Sequence, residues 1–282
     1  VAGQLGDRIN LIMGGGGVRL PAYVGALAAL ADMGVEVERV AGASAGSIVG
    51  SLFAAGLSLK QLRTLVLETS FATFKDLSLR GFLLEGGLYA GDRFEAWMDS
   101  NLGGVRFREL SLDLYVTAVD LIGREPVFFS RHTTPDMLVS SAVRCSMAIP
   151  WVWRPRRLGR QLLADGQLLP WMPHGIELLT RDQGSPPPRT LMLRLVSAGL
   201  REVRPGARLW PWDFARILLD TMFAALENQR VPGALWQDTI LIDVGPIRTL
   251  QFALSPAEKE RLYACGYDQV RRYYRKTAPG SP

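Results

Sequence analysis

Short runs of consecutive apolar residues alternate along the chain with longer stretches of helical spacing, and glycines mark the joints between them. Ile9 to Met13 reads as a buried strand. After Gly14-Gly15-Gly16-Gly17, the residues from about Pro21 to Met33 read as a helix with proline in its first turn. That helix is apolar nearly all round (Tyr23, Val24, Ala26, Leu27, Ala28, Ala29, Leu30), which predicts cover on several sides. Gly34 ends it, Val37, Val40 and Ala41 mark a second strand, and Ser47 to Leu59 is predicted as one buried helix. Strand, loop, helix, strand, turn, helix is the opening of a parallel sheet with crossover helices, in which loops at the carboxyl ends of adjacent strands converge. The glycine loop and the turn at residues 42–46 are therefore predicted neighbours.

Beyond them, Ser70 to Gly104 has no clean period and is predicted as short helices and loops forming a cap. Leu114 to Leu121 and Pro126 to Phe129 read as strands, Ser140 to Met147 as a helix, and Trp151 to Asp165 as a hairpin turning near Leu158-Gly159. Three consecutive prolines make Asp182 to Arg189 a surface loop. Leu191 to Val196 and Thr239 to Val244 are late strands, and Phe214 to Arg230 and Pro256 to Lys276 late helices, the last packing back on the rest. No long linker divides residues 1–282, so a single domain is expected.

Hydrophobic residues make up 48% and charged residues 21% of the chain, which excludes a disordered protein. No apolar run reaches the roughly 18 residues of a spanning helix. The chain opens at Val1 rather than Met, so a location in the cytoplasm or peripheral to a membrane is expected with export left open. Cys145 and Cys265 are too few for a disulfide framework or a metal cluster and read as small core residues. The net charge is +5, and arginines gather at Arg154, Arg156, Arg157 and Arg160 beside Trp151 and Trp153. A second group runs through Arg271, Arg272, Arg275 and Lys276, and Arg201, Arg204 and Arg208 lead up to Trp210 and Trp212. Arginines beside indoles suit an anionic lipid surface, and they equally suit a solvated rim around half-buried tryptophans. No reader motif points to nucleic acid.

The chemistry centres on Gly42-Ala43-Ser44-Ala45-Gly46, a G-x-S-x-G where a strand meets a helix. There a serine occupies a strained turn with its hydroxyl presented, and the glycines keep two backbones clear of it. An activated serine needs a base and donors for an oxyanion. The four glycines offer N–H groups free of side chains, whereas Leu20 spoils a dinucleotide fingerprint and no P-loop Lys-Ser/Thr pair follows. For the base, the two histidines, His132 and His174, are poor candidates, since only nine residues separate Asp165 from His174 and both read as surface or packing residues. A carboxylate acting directly remains, and Asp165-Gly166 at the end of a hairpin strand supplies one, though the same dipeptide also reads as a plain turn.

Gly14-Gly15-Gly16-Gly17-Val18-Arg19, Gly42-Ala43-Ser44-Ala45-Gly46, Ser146-Met147-Ala148-Ile149-Pro150 and Asp165-Gly166 together resemble, in order and spacing, the patatin-like phospholipases, especially the compact bacterial ones. The match covers roughly residues 9 to 180, and the stretch from Leu250 to Tyr274 is more weakly similar to the family's closing helix. The resemblance implies a three-layer α/β/α fold with a mainly parallel central sheet, and a Ser-Asp dyad that needs neither histidine, metal nor cofactor. It implies hydrolysis of carboxylic ester bonds in membrane phospholipid or lysophospholipid, with peripheral membrane contact. Ser44 corresponds to the nucleophile, Asp165 to the general base, the amides of Gly15, Gly16 and Gly17 to the oxyanion donors, and Gly42 and Gly46 to the elbow glycines. Arg19 matches a basic residue that braces the loop or meets a lipid phosphate. Leu20, Gln167 and Trp171 depart from the family pattern, and the last two line the base loop. Acyl transfer or thioester hydrolysis by the same dyad, and a binding protein with a relic site, are the other readings.

Overall fold

The computed structural model describes residues 7–197, 210–227 and 237–277. Its elements in chain order begin with β1 (Arg8–Met13), α1 (Pro21–Asp32), β2 (Glu36–Ala43), α2 (Ala45–Ala54), α3 (Leu59–Glu68) and α4 (Leu79–Leu84). There follow β3 (Gly87–Tyr89), α5 (Asp92–Leu102), β4 (Asp113–Asp120), β5 (Glu125–Phe129), α6 (Val139–Ser146), β6 (Trp151–Trp153), β7 (Arg156–Leu158) and β8 (Gln161–Asp165). The last are α7 (Met172–Thr180), β9 (Arg189–Val196), α8 (Pro211–Glu227), β10 (Thr239–Asp243) and a final helix, α9 (Pro256–Thr277).

The main sheet has the order β10-β9-β1-β2-β4-β8-β7, parallel from β10 to β4, with β8, β7 and β5 antiparallel. Strands buried on both faces carry near-continuous apolar runs whose alternate residues serve opposite layers. Leu11, Met13, Val40, Leu114, Val116, Leu191 and Leu193 point into the larger core, under α1, α2 and α9. Their neighbours Ile12, Ala41, Tyr115 and Met192 form a second core with Trp171 and Leu179 at α7. Helices thus cover both faces of a mostly parallel sheet, the expected α/β architecture.

Two expectations change. The stretch Ser47 to Leu59 is not one helix: α2 stops at Ala54, Gly56 takes φ +90°, and α3 starts at Leu59 behind a Ser58/Gln61 capping box. The hairpin is confined to β7 and β8, while β6 pairs parallel with β3 in a separate two-stranded sheet. The helix predicted to reach Arg230 is described to Glu227, and Arg201, Arg204 and Arg208 lie outside the described residues.

α9 closes the fold through its contact with α1. A Cβ on Gly25 would lie 1.9 Å from the Tyr263 carbonyl oxygen, and one on Gly266 would lie 1.8 Å from that of Ala22. The two backbones approach only because both positions lack a side chain. Gly25→Ala or Gly266→Ala must therefore pry the helices apart, with a loss of about 3 kcal/mol from overpacking against immovable backbone. Urea unfolding midpoints measure this, and a variant within 0.5 kcal/mol or so of wild type would contradict the crossing.

Candidate active site

β2 ends where α2 begins, and Ser44 occupies the joint with φ 50° and ψ −119°, the strained conformation the motif predicts. Nothing larger than glycine fits on either side. A Cβ on Gly42 would lie 2.6 Å from the Gly46 backbone, and one on Gly46 would lie 2.1 Å from the Met13 carbonyl oxygen. The Gly46 N–H donates to Gly14 O at 3.1 Å, so the elbow and the glycine loop are adjacent, as the strand order requires. The Ser44 N–H donates to Ser146 Oγ at 2.9 Å. Ser146 is fully buried, and this cap on the elbow is a role that its Ser-Met-Ala-Ile-Pro motif does not declare in the sequence.

Asp165 ends β8, and its own N–H donates to Ala148 O at 2.9 Å, which ties the base loop to the segment after α6. One carboxyl oxygen, Oδ1, accepts the Gln167 N–H at 2.8 Å. The other, Oδ2, is buried without a well-formed hydrogen bond. Complete burial pushes the carboxyl up to about 7, and the Ser44 hydroxyl and the Gln167 N–H pull in the opposite direction. The Ser44 hydroxyl and the Asp165 carboxyl thus interact inside the protein with no cation beside them among the described residues. A carboxylate near neutrality next to a serine hydroxyl is equipped to accept its proton.

The glycine loop is held from three directions. Arg19, fully buried, donates from Nε to Gly16 O at 2.8 Å and from Nη1 to Ser197 Oγ, so it braces the loop and is not open to a lipid phosphate. Val18 N–H donates to Thr249 O, and a Cβ on Gly17 would lie 2.1 Å from that oxygen. On the third side Gly15 N–H donates to Gln167 Oε1 at 2.8 Å, with the Trp171 indole N–H 3.4 Å from the same oxygen. Two of the departures from the family pattern therefore meet at Gly15. The N–H groups of Gly16 and Gly17 have no partner among the described residues.

Ser44 opens into a tight apolar pocket lined by Gly17, Phe71, Met147, Trp153, Leu250 and Phe252 among others, with about 20 Å³ open to water. That is room for about one water molecule. Both histidines are exposed and engaged elsewhere: His132 stacks on Tyr115 with Nε2 3.8 Å from Asp113, and His174 packs near Phe128. Cys145 is a buried core residue, and Cys265 is half-buried against the core.

Half of the arginine cluster belongs to the fold. Arg154 reaches Glu85 at 3.0 Å and Asp92 at 3.4 Å, and Arg156 reaches Glu95 at 2.9 Å. Arg157 and Arg160 are exposed. In the C-terminal group, Arg271 donates to the Tyr267 hydroxyl.

A family model described as patatin-like phospholipase matches residues 11–174. The chain is 27% identical over 284 aligned residues to YqhO, an uncharacterised protein of Bacillus subtilis, covering 92% of this chain and 95% of that protein. It is 31% identical over 173 residues to an uncharacterised NTE family protein of Mycobacterium tuberculosis, covering 61% of this chain and 46% of the relative. Among solved structures, VipD from Legionella pneumophila is similar with a TM-score of 0.69 and 18% identity over 98% of this chain and 68% of that one. The type III effector ExoU is similar with a TM-score of 0.55 and 18% identity over 95% of this chain and 53% of that one. The chain thus spans about half the length of the mycobacterial relative and of ExoU. At this identity the solved structures speak to fold alone.

The Asp165 environment makes a thermodynamic prediction. Its folded pKa of about 7 lies above the unfolded value of roughly 3.9, so the folded state holds the proton more tightly. The stability linked to that proton is complete below the unfolded value and is lost as pH rises toward 7. Asn stays neutral throughout, so Asp165→Asn should melt near wild type at pH 4 and several degrees above it at pH 8. A pH-independent difference in thermal midpoint would contradict the buried carboxylate.

Proposed function

The chain belongs to the patatin-like phospholipases, a family of serine esterases acting on lipids, and from that premise we propose that it is a phospholipase A or lysophospholipase working through Ser44 and Asp165. The observation that carries this reading is the buried, cation-free contact between the Ser44 hydroxyl and a carboxyl raised to about 7. The reading treats residues 1–282 as one catalytic domain.

In the proposed reaction Asp165 accepts the hydroxyl proton as Ser44 Oγ attacks the ester carbonyl. The tetrahedral oxyanion accepts hydrogen bonds from the glycine loop, first from the open N–H groups of Gly16 and Gly17. Gly15 joins them once the Gln167 amide releases its N–H. Collapse expels the alcohol half of the lipid, which takes the proton back from Asp165, and leaves an acyl-serine. Water then attacks the acyl carbon with Asp165 again as base, releasing the fatty acid and restoring Ser44. The apolar pocket beside Ser44 would hold the acyl chain. Among the described residues no helix is long and apolar enough to cross a membrane, so the reading takes lipid from a surface the protein visits.

The same acyl-enzyme could pass its acyl group to an alcohol, or form from a thioester, which makes acyl transfer and thioester hydrolysis the second reading. Phospholipid, lysophospholipid and acyl thioester assayed side by side, with and without an alcohol acceptor, separate the two. Under the first reading a fluorophosphonate probe labels Ser44, Ser44→Ala removes turnover while the fold persists, and Asp165→Asn lowers kcat by about two orders of magnitude or more. His132→Ala and His174→Ala stay close to wild type. Because the ionised carboxylate is the acceptor, kcat/KM should rise with pH up to about 7 and then level off. Labelling at another serine, or a His174→Ala variant that collapses while Asp165→Asn still turns over, would sink the dyad.

A further inference from the structure

Between α3 and α5, the short helix α4 turns its large apolar side chains outward. In α4 the position turned into the protein is Gly81, where a Cβ would lie 2.9 Å from Gly87 O, while Leu79, Leu83 and Leu84 face solvent at 76%, 66% and 77% exposure. Leu77, just before it, is 75% exposed, and Trp151 is 52% exposed. These side chains share one projection. Leu77 bridges to Tyr89, the Ser78 N–H donates to Leu88 O, and the Trp151 N–H donates to Gly86 O, two residues past the end of α4. The projection is held in place as well: Ser78 Oγ accepts the Gly81 N–H at 2.9 Å, and Asp76 Oδ1 accepts the Gly91 N–H at 2.8 Å. Several large leucines kept in water on a braced support mark a contact surface, since isolated exposed apolar residues are ordinary and a cluster of them is not.

Charge beside the leucines names the occupant. Leu84 lines a surface depression together with Arg154, Pro155, Arg156, Arg157 and Leu162. Arg154 and Arg156 are neutralised there by Glu85, Asp92 and Glu95, whereas Arg157 and Arg160, exposed on the β7–β8 hairpin, make no ion pair among the described residues. An apolar tip with an indole beside it and arginines at its rim fits the interface of an anionic bilayer, where leucines enter the acyl boundary and guanidinium groups meet phosphates. A second copy of the chain fits poorly, because a two-fold contact through this patch brings the same basic hairpin against itself. The patch is also tied to the catalytic pocket at both ends. Phe71, six residues before Leu77, and Trp153, two residues after Trp151, both line the pocket at Ser44.

We propose that Leu77, Leu79, Leu83, Leu84 and Trp151, rimmed by Arg157 and Arg160, form the surface on which this protein docks to an anionic phospholipid membrane. The proposal deepens the lipase reading and rests on it for the biological meaning of docking. Docked this way, the membrane lies against the two segments that wall the acyl pocket.

Flotation with vesicles of phosphatidylcholine alone and of phosphatidylcholine with phosphatidylglycerol tests it on the full chain. Wild type should float with the anionic vesicles, less so as salt rises. The triple change Leu79→Gln, Leu83→Gln, Leu84→Gln should lower partitioning to the anionic vesicles at least tenfold. The pair Arg157→Gln, Arg160→Gln should lower it while abolishing most of the salt dependence. Hydrolysis of a soluble short-chain ester should be unchanged in both, which also certifies that they fold. Leucine variants that float like wild type overturn the proposal, as does a wild-type dimer that the triple change converts to monomer. Soluble-ester turnover by wild type reports on the esterase reading separately, because flotation needs no turnover.

Discussion

At the centre of the molecule the backbone leaving β1 runs against the backbone entering α2 with no space for a side chain between them. Gly46 sits under Met13 O and donates its N–H to Gly14 O, and Gly42 is pressed against Gly46 from the other side. This contact holds Ser44 at a positive φ that costs about 1–3 kcal/mol by itself and that persists because β2 and α2 are buried around it. It also brings the glycine loop to the serine. Strand order supplies the rest: β4 lies beside β2 and pairs with β8 through Ala118 and Asp165, so the acid arrives at the elbow on a strand rather than on a loose loop.

Burial does the electrostatic work. A carboxylate surrounded by protein with one N–H and one hydroxyl for company is less content to be charged than a solvated one, and that discontent is the source of its basicity. A histidine-based triad needs an imidazole and a second acid to orient it. Here a backbone N–H orients the carboxyl, and desolvation adjusts it. The same burial lowers the stability of the folded state at neutral pH, a local sacrifice typical of sites built for chemistry.

Much of this was legible in the sequence because the relevant signals are local. The apolar run Ile9 to Met13, the all-round apolar helix after Pro21 and the G-x-S-x-G at Ser44 each declare an element within a dozen residues. Asp165 stands out in the sequence by elimination of the histidines and by the order and spacing of the family motifs, since an Asp-Gly dipeptide by itself also reads as a plain turn. What escaped was pairwise and distant. The counter-ions of Arg154 and Arg156 lie some 60 residues earlier, the Gln167 side chain meets Gly15 across 152 positions, and Ser146 reaches Ser44 across 102. Apolar spacing also runs straight through the break at residues 55–58, where Gly56 at positive φ and the Ser58 cap separate two helices that hydrophobicity alone reads as one. Strands of three residues, such as β3 and β6, carry too few positions for alternation to reveal their partners.

The clasp of Thr249 on the glycine loop, and of α9 on α1, has a consequence for the birth of the protein. The partners that seat the loop are made some 230 residues after it, which at roughly 5–20 residues per second is a delay of tens of seconds or less. Once Asp165 has been made, the nascent chain owns the serine, the acid and the four glycines but still lacks the carbonyl that receives Val18 and the helix that covers Gly25. The order of the sequence thus leaves the glycine loop and α1 without these contacts until Thr249, Tyr263 and Gly266 have been made.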